Sequence, residues 1–242
     1  MRSVARLSAA ALLLVPAWVA GQSVRALSVP AVDPASYEAN WRAAGALIDI
    51  GKQTPDRVPS PARDSAYADA EAYARKAVAL NPEGAAGHFM LAQAIGRASL
   101  SKGTRERIRG AEEIRHEALR AIALDPTQAG AFHVLGRWHA QIMRLSAFQR
   151  FFAHRLLGGG SFGEASWEQA IANLERAVAL SPTTIQHRLE LAQVFVDCQR
   201  YGEARPQLDA VASLPIHDAM DPSYKERAAG LRQTVDAKIA PR

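Results

Sequence analysis

Ala74-Arg-Lys-Ala-Val-Ala-Leu-Asn-Pro82, Ala118-Leu-Arg-Ala-Ile-Ala-Leu-Asp-Pro126 and Leu174-Glu-Arg-Ala-Val-Ala-Leu-Ser-Pro182 are nearly one sequence written three times. Each reads as the end of an amphipathic helix, with a small residue at every third or fourth position and a proline that stops it. Repetition of this kind means that one helical unit has been stacked several times. A stacked solenoid offers an extended surface more often than an enclosed catalytic pocket.

The same periodicity recurs on either side of these stretches. Ser36 to Ile50 carries Tyr37, Trp41, Ala44, Leu47 and Ile48 at helical spacing, and the prolines of Thr54 to Pro61 then break it. Asp64 is placed to cap the helix ending at Asn81-Pro82, and Gly84 to Ala98 forms the next. A charged stretch, Ser99 to Arg109, reads as a connection to the helix that ends at Asp125-Pro126. Gln128 to Leu145 and Phe148 to Leu157 follow, before the stop at Gly158-Gly-Gly160. Ser161 with Glu164 fits a capping box for the helix ending at Ser181-Pro182. Ile185 to Gln199 and Glu203 to Leu214 make a last pair, and Asp221-Pro222 opens a helix with Tyr224, Ala228, Leu231 and Val235 on one stripe. Sustained two-residue alternation is absent, so the expected fold class is all-α.

These residues carry a resemblance. Leu191-Ala192, Phe195, Ala204, Leu208 and Pro215 fall at the spacings of a tetratricopeptide (TPR) repeat, a helix–turn–helix unit of about 34 residues. Phe132, Leu135-Gly136 and His139, then Ala170, Leu174, Ala177 and Pro182, match it after an insertion. Leu91-Ala92 and Ile95 pair with Ala118, Ala121 and Pro126; Trp41, Gly45 and Ile48 pair with Ala70, Ala74, Ala77 and Pro82. The small residue at Gly45, Ala92, Gly136 and Ala192 is where the two helices of a unit cross. The first three units exceed the standard length by about thirteen, ten and twenty-two residues, each time between the paired helices. That lengthening, with Leu135-Gly-Arg-Trp-His139, Arg150 to Leu157 and the glycine run, resembles the regulator of microtubule dynamics family over roughly Glu112 to Val235. The resemblance implies a TPR-like solenoid of about four units with lengthened intra-unit connections and a C-terminal capping helix. It also implies an adaptor class of function.

Composition bounds the rest. The chain has 242 residues, of which 48% are hydrophobic, enough for one core spanning 35–240. Its net charge of +5 permits anionic partners without selecting one. The single cysteine, Cys198, excludes an internal disulfide and a cysteine-based zinc site, and reads as an inert buried thiol within a helix. Arg2 and Arg6 precede an uncharged run from Leu7 to Val24, and Val19-Ala20-Gly21 supplies small residues. Residues 1–21 therefore read as a signal peptide or N-terminal anchor and 22–34 as a linker. The expected location is the bacterial periplasm or a membrane tether; a mitochondrial presequence is the alternative. An export-like leader sets the cytoskeletal role of eukaryotic family members aside.

No catalytic residue, metal ligand or cofactor is assigned. His133 and His139 are six residues apart, a poor separation for one helix face, and no His-Glu-x-x-His or Gly-x-Ser-x-Gly motif occurs. Gly158 to Gly163 lacks the lysine of a phosphate-binding loop and reads as a helix stop. Glu112, Glu113 and Glu164 read as first-turn and capping residues. In TPR proteins the first helix of each unit lines the inner surface. Projection of its outward positions gives a candidate partner-binding groove of Phe89, Gln93, Arg97, His133, Arg137, Gln141, Gln186, Gln193 and Asp197. The Lys and Asn set of the carboxylate-clamp repeats is absent. The expected function is a non-catalytic adaptor or scaffold that binds a peptide or protein there. The alternative is an anionic-surface binder, with membrane lipid favoured over nucleic acid. It would use the Arg97–Arg115 cluster and the 145–157 amphipathic insert, in which Leu145, Phe148, Phe152 and Leu156 align near Arg144, Arg150 and Arg155. The insert is expected to fold back and bury its aromatic side chains.

Overall fold

A computed structural model describes residues 33–56, 58–156 and 160–240. The leader and nearly all of the linker lie outside the described residues. Within them the chain forms ten α-helices and no strand: α1 (Tyr37–Lys52), α2 (Pro61–Leu80), α3 (Ala85–Ala98), α4 (Thr104–Leu124), α5 (Ala129–Met143), α6 (Ala147–Leu156), α7 (Trp167–Leu180), α8 (Ile185–Asp197), α9 (Tyr201–Ser213) and α10 (Asp221–Ile239). Helix α1 pairs with α2, α3 with α4, α5 with α7 and α8 with α9, and α10 caps the last pair. The architecture is the expected all-α, TPR-like stack of four hairpins.

The three repeated segments build one structure three times. Asn81, Asp125 and Ser181 are pushed into extended backbone, φ −143°, −142° and −137°, by the proline that follows each. Their amide N–H groups still donate to the carbonyls of Ala77, Ala121 and Ala177 at 3.0, 2.9 and 3.0 Å. Three residues on, Gly84, Gln128 and Thr184 donate back to the carbonyls of Asn81, Asp125 and Ser181 at 3.0, 3.1 and 3.2 Å. The polar side chains tighten the turn: Asn81 accepts from the Glu83 N–H, Asp125 from the Thr127 N–H, and Ser181 meets the Thr184 hydroxyl. Local chemistry thus gives each unit the same turn into the next.

Burial follows the small-residue stripe. Ala70, Ala74 and Ala77 of α2, Ala118 and Ala121 of α4, and Ala170, Leu174 and Ala177 of α7 are fully buried. At the crossing of α5 and α7 a side chain on Gly136 would put its Cβ 2.7 Å from Leu174 Cγ and 3.1 Å from the Ala170 carbonyl oxygen. The first unit differs from expectation by one residue. Asn40, Ala43, Ala44 and Leu47 are buried, whereas Trp41 and Gly45 are half-exposed. Ala44 therefore holds the crossing position, and Gly45 has only Met90 near it, at 3.5 Å. The closest approach in this unit comes later, where the Tyr67 ring packs on Gly51.

The intra-unit connections share no common form, and here several expectations are corrected. Residues 104–109 are not a loop but the opening turns of α4, so the second unit is lengthened mainly by helix. Ser60, not Asp64, caps α2, accepting from the Arg63 N–H, with Pro61 in the first turn. Ser166, not Ser161, caps α7. Ser161 instead bonds Glu112, which accepts from its N–H at 3.0 Å and its hydroxyl at 2.6 Å. Glu112 and Glu113 consequently sit mid-helix in α4, not in a first turn. Two connections are pinned by an arginine that gathers backbone carbonyls. Arg63 donates to Pro55 and Val58 at 2.9 and 2.8 Å, and Arg150 to Met143 and Leu145 at 3.1 and 2.6 Å. The insert does fold back, but Ala153 makes the buried contact, and Phe148, Phe151 and Phe152 stay in solvent.

Candidate inner groove

Helix α1 packs on α3, α3 on α5, and α5 on α8. The second helices α2 and α4 are bridged instead by a long ion pair, Arg75 to Glu113 at 2.6 Å, with Lys102 of the α3–α4 connection reaching Glu71 of α2 at 2.9 Å and Arg120 of α4 reaching Glu83 of the turn after α2. Close packing on one side and long bridges on the other make the first helices the inner side of the curve. Between α4 and α7, on the outer side, the wider spacing leaves an open recess of about 460 Å3 over α5. Its titratable groups already have partners: Arg115 pairs with Glu164, and His139 Nδ1 accepts from the Ser166 N–H at 3.4 Å.

Of the residues expected to line the inner groove, Gln93, Arg97, Arg137, Gln141, Gln186, Gln193 and Asp197 are partly or fully exposed. They form a discontinuous polar strip along α3, α5 and α8. Gln193 donates to Asp197 at 3.1 Å, and the other carboxylate oxygen of Asp197 takes Arg144 at 2.7 Å. Arg137 and Arg144 both reach Glu190, at 3.6 and 3.4 Å. Arg97 faces Asp56 of the first connection at 3.6 Å. Phe89 and His133 differ from expectation. The half-buried Phe89 ring lies against Gly130, where an added Cβ would come within 2.3 Å of it, so it seals the joint between the second and third units. His133 is 4% exposed and cannot meet a partner's surface.

Beneath the groove His133 stacks on His187 of α8, ring centres 4.7 Å apart. Neither nitrogen of His133 has a hydrogen-bond partner, nor has Nδ1 of His187. Burial is the main force holding the His133 imidazolium well below the ordinary histidine range. Protonated His187 and the positive charges of Arg137, Arg97 and Lys52 would oppose that charge further. Burial likewise pushes His187 down to about 4. Both rings are therefore neutral near pH 7 and act as packing surface. Burial raises the hydroxyl pKa of Tyr224 of α10, and Arg97 and Arg137 oppose the rise. The Cys198 thiol is pushed up by burial and by Asp197, the direction of low reactivity.

Arg144, His187 and Glu190 contact these residues directly and were not among the expected ones. Two had a signal. Arg144 lies seven residues after Arg137, and Glu190 seven before Asp197, so each shares a helix stripe with a residue already placed in the groove. The histidine stack had none, because it depends on the angle between two units. Among the described residues no three His, Cys, Asp or Glu side chains gather to hold a metal ion. No described helix is long and apolar enough to cross a membrane.

The model of the family described as regulator of microtubule dynamics protein 1-3 matches residues 25–236. Regulator of microtubule dynamics protein 1 of Bos taurus is 25% identical over 192 residues, covering 79% of this chain and 59% of that protein. Its Homo sapiens counterpart is 23% identical over 199 residues, 82% of this chain and 62% of that one. The chain thus spans about three fifths of the length of the curated relatives it matches. A thermophilic TPR protein of Thermus thermophilus shares the fold, with a TM-score of 0.54 at 20% identity over 82% of both chains. The match reaches well before Glu112, where the sequence had shown only generic repeats. This chain belongs to the regulator of microtubule dynamics family.

Proposed function

We propose that this member of the regulator of microtubule dynamics family is a non-catalytic adaptor or scaffold whose inner groove holds a carboxylate-bearing segment of a protein partner. One observation carries the reading. Arg97 and Arg137 stand in the groove with their own carboxylates only at 3.6 Å, longer than the 2.7 to 2.9 Å of a good charge-assisted bond. Each is free to exchange that contact for a partner's carboxylate at little cost. Gln93, Gln141 and Gln186 supply neutral donors and acceptors along the same path. The proposal carries the adaptor class and not a cytoskeletal one. The basic, apolar leader of residues 1–21 favours an exported or membrane-tethered chain, which the mass of the mature N-terminus tests.

The partner is identified by crosslinking and mass spectrometry in the protein's own cells, and its affinity is then measured with Arg97→Ala and Arg137→Ala. Each substitution is expected to weaken binding by roughly tenfold or more. Affinity indifferent to Arg97, Arg137 and Gln193 substitutions removes the groove assignment.

A further inference from the structure

Three phenylalanines stand in solvent on one short helix, away from the groove. Phe148, Phe151 and Phe152 of α6 are 73%, 59% and 42% exposed, and with Arg155 they follow the i, i+3, i+4, i+7 spacing of a single helix face. The opposite side of α6 is fixed by Ala153 in the cluster of Ile108, Trp138, Ile142 and Phe162, and by the carbonyls that Arg150 gathers. The aromatic face is therefore presented by a held element. Contiguous exposed aromatic surface of this kind marks a contact site.

The cations beside it come from the neighbouring unit. Ile108, in the same cluster as Ala153, sits on α4 among Arg105, Arg107 and Arg109, all three exposed. The basic stretch of 97–115 divides in the structure. Arg97, Lys102 and Arg115 face Asp56, Glu71 and Glu164, whereas Arg105, Arg107 and Arg109 have no carboxylate within ion-pair distance among the described residues. Glu106, the one acid between them, turns back to the Gly103 N–H at 3.3 Å. The α3–α4 and α5–α7 connections are joined through the cluster of Ile108 and Ala153, so the unpaired arginines flank Ile108 on the edge of the stack that carries the phenylalanines.

We propose that this edge docks on an anionic lipid bilayer, with Phe148, Phe151 and Phe152 entering the interface and Arg105, Arg107, Arg109 and Arg155 meeting the headgroups. Charge complementarity chooses the occupant. An aromatic face rimmed by arginines with a single carboxylate suits a surface that is apolar within and negative without. A second copy of the chain would bring the same cations opposite one another. The site is independent of the groove, and either assignment can fail without the other.

The test uses the full chain carrying Cys198→Ser and Ala147→Cys, with a polarity-sensitive dye on the new thiol. It is mixed with vesicles of phosphatidylcholine alone or of phosphatidylcholine with phosphatidylglycerol. The dye is expected to shift to the blue only with the anionic vesicles, and less so in high salt. Joint substitution Arg105→Gln, Arg107→Gln and Arg109→Gln is expected to weaken binding by roughly a hundredfold, at about fivefold for each arginine. Joint Phe148→Ser, Phe151→Ser and Phe152→Ser is expected to cost at least roughly tenfold. A chain that binds vesicles while the dye stays in water is attached elsewhere, by its leader for instance, and overturns the proposal. So does equal binding to neutral vesicles, or an oligomer that dissociates when the phenylalanines are replaced. Binding of a single-stranded RNA oligonucleotide that displaces the vesicles and loses strength with both sets of variants would assign the edge to nucleic acid instead.

Discussion

Two edges of this molecule are built by opposite rules. On one, the turns between units at Asn81-Pro82, Asp125-Pro126 and Ser181-Pro182 repeat the same backbone angles and the same hydrogen bonds. On the other, the connections within units are a proline-rich segment pinned by Arg63, a five-residue step into a long helix, and an insert carrying α6. Only the last, Cys198 to Arg200, is tight, with Gln199 at φ 60°. The inter-unit turn cannot vary, because its angle sets how every later helix meets the groove. The intra-unit edge touches the neighbouring unit at a few points, Lys102 to Glu71 and Ser161 to Glu112 among them, and each connection does so in its own way. Uniformity marks the frame and divergence marks where individual chemistry has been added.

The largest expected effect tests the frame. Gly136→Leu forces a side chain against a branched carbon and a backbone oxygen, neither of which can yield, and should lower unfolding free energy by about 3 kcal/mol or more. Denaturant titration showing less than about 1 kcal/mol would mean that α5 and α7 cross elsewhere.

Acid should strike the same inner layer. His133 and His187 are held neutral in the fold, so the unfolded chain takes up more protons as pH falls. The stability they contribute is complete above about pH 6.5 and is lost progressively towards pH 4, the value to which His187 is pushed. The loss is on the order of 3 kcal/mol for His187. Comparing the pH dependence of unfolding with that of His187→Leu isolates this share, and parallel profiles would show that the stack does not titrate.

The connections were the part least legible in the sequence. The helix-ending prolines and the small-residue stripe announced themselves because each acts through neighbours a few residues away. The pairing of α5 with α7 across the insert was legible for the same reason. The one-residue register of the first unit was not. Trp41 and Gly45 look like packing residues until Tyr67, twenty-six positions after Trp41, is seen to fill the space beside Gly51. Glu112 could not be matched to Ser161, forty-nine residues on, because that partner is chosen by the fold. In the groove, side-chain direction was readable from helix projection, but depth was not: His133 shares a stripe with Arg137 and lies beneath it.

Smaller effects sharpen the contrast between edges. Arg63→Ala and Arg150→Ala each remove a guanidinium from two backbone carbonyls, and should cost about 2 kcal/mol at Arg63, which is 6% exposed. The loss at Arg150 should be smaller and confined to α6, seen as faster amide exchange there with the global transition unmoved. Gly45→Ala should raise stability by about 0.5–1 kcal/mol, since the site has room and alanine is the better helix former. A loss instead would restore Gly45 to the crossing.

The central claim, that partners lie along the inner helices, is tested most directly by photo-crosslinking inside the protein's own cells. A photoreactive amino acid is placed in turn at Gln141 of the groove and at Lys76 on the outer face of α2. A partner captured from position 141 and not from 76 is the predicted result; capture from 76 alone would contradict it.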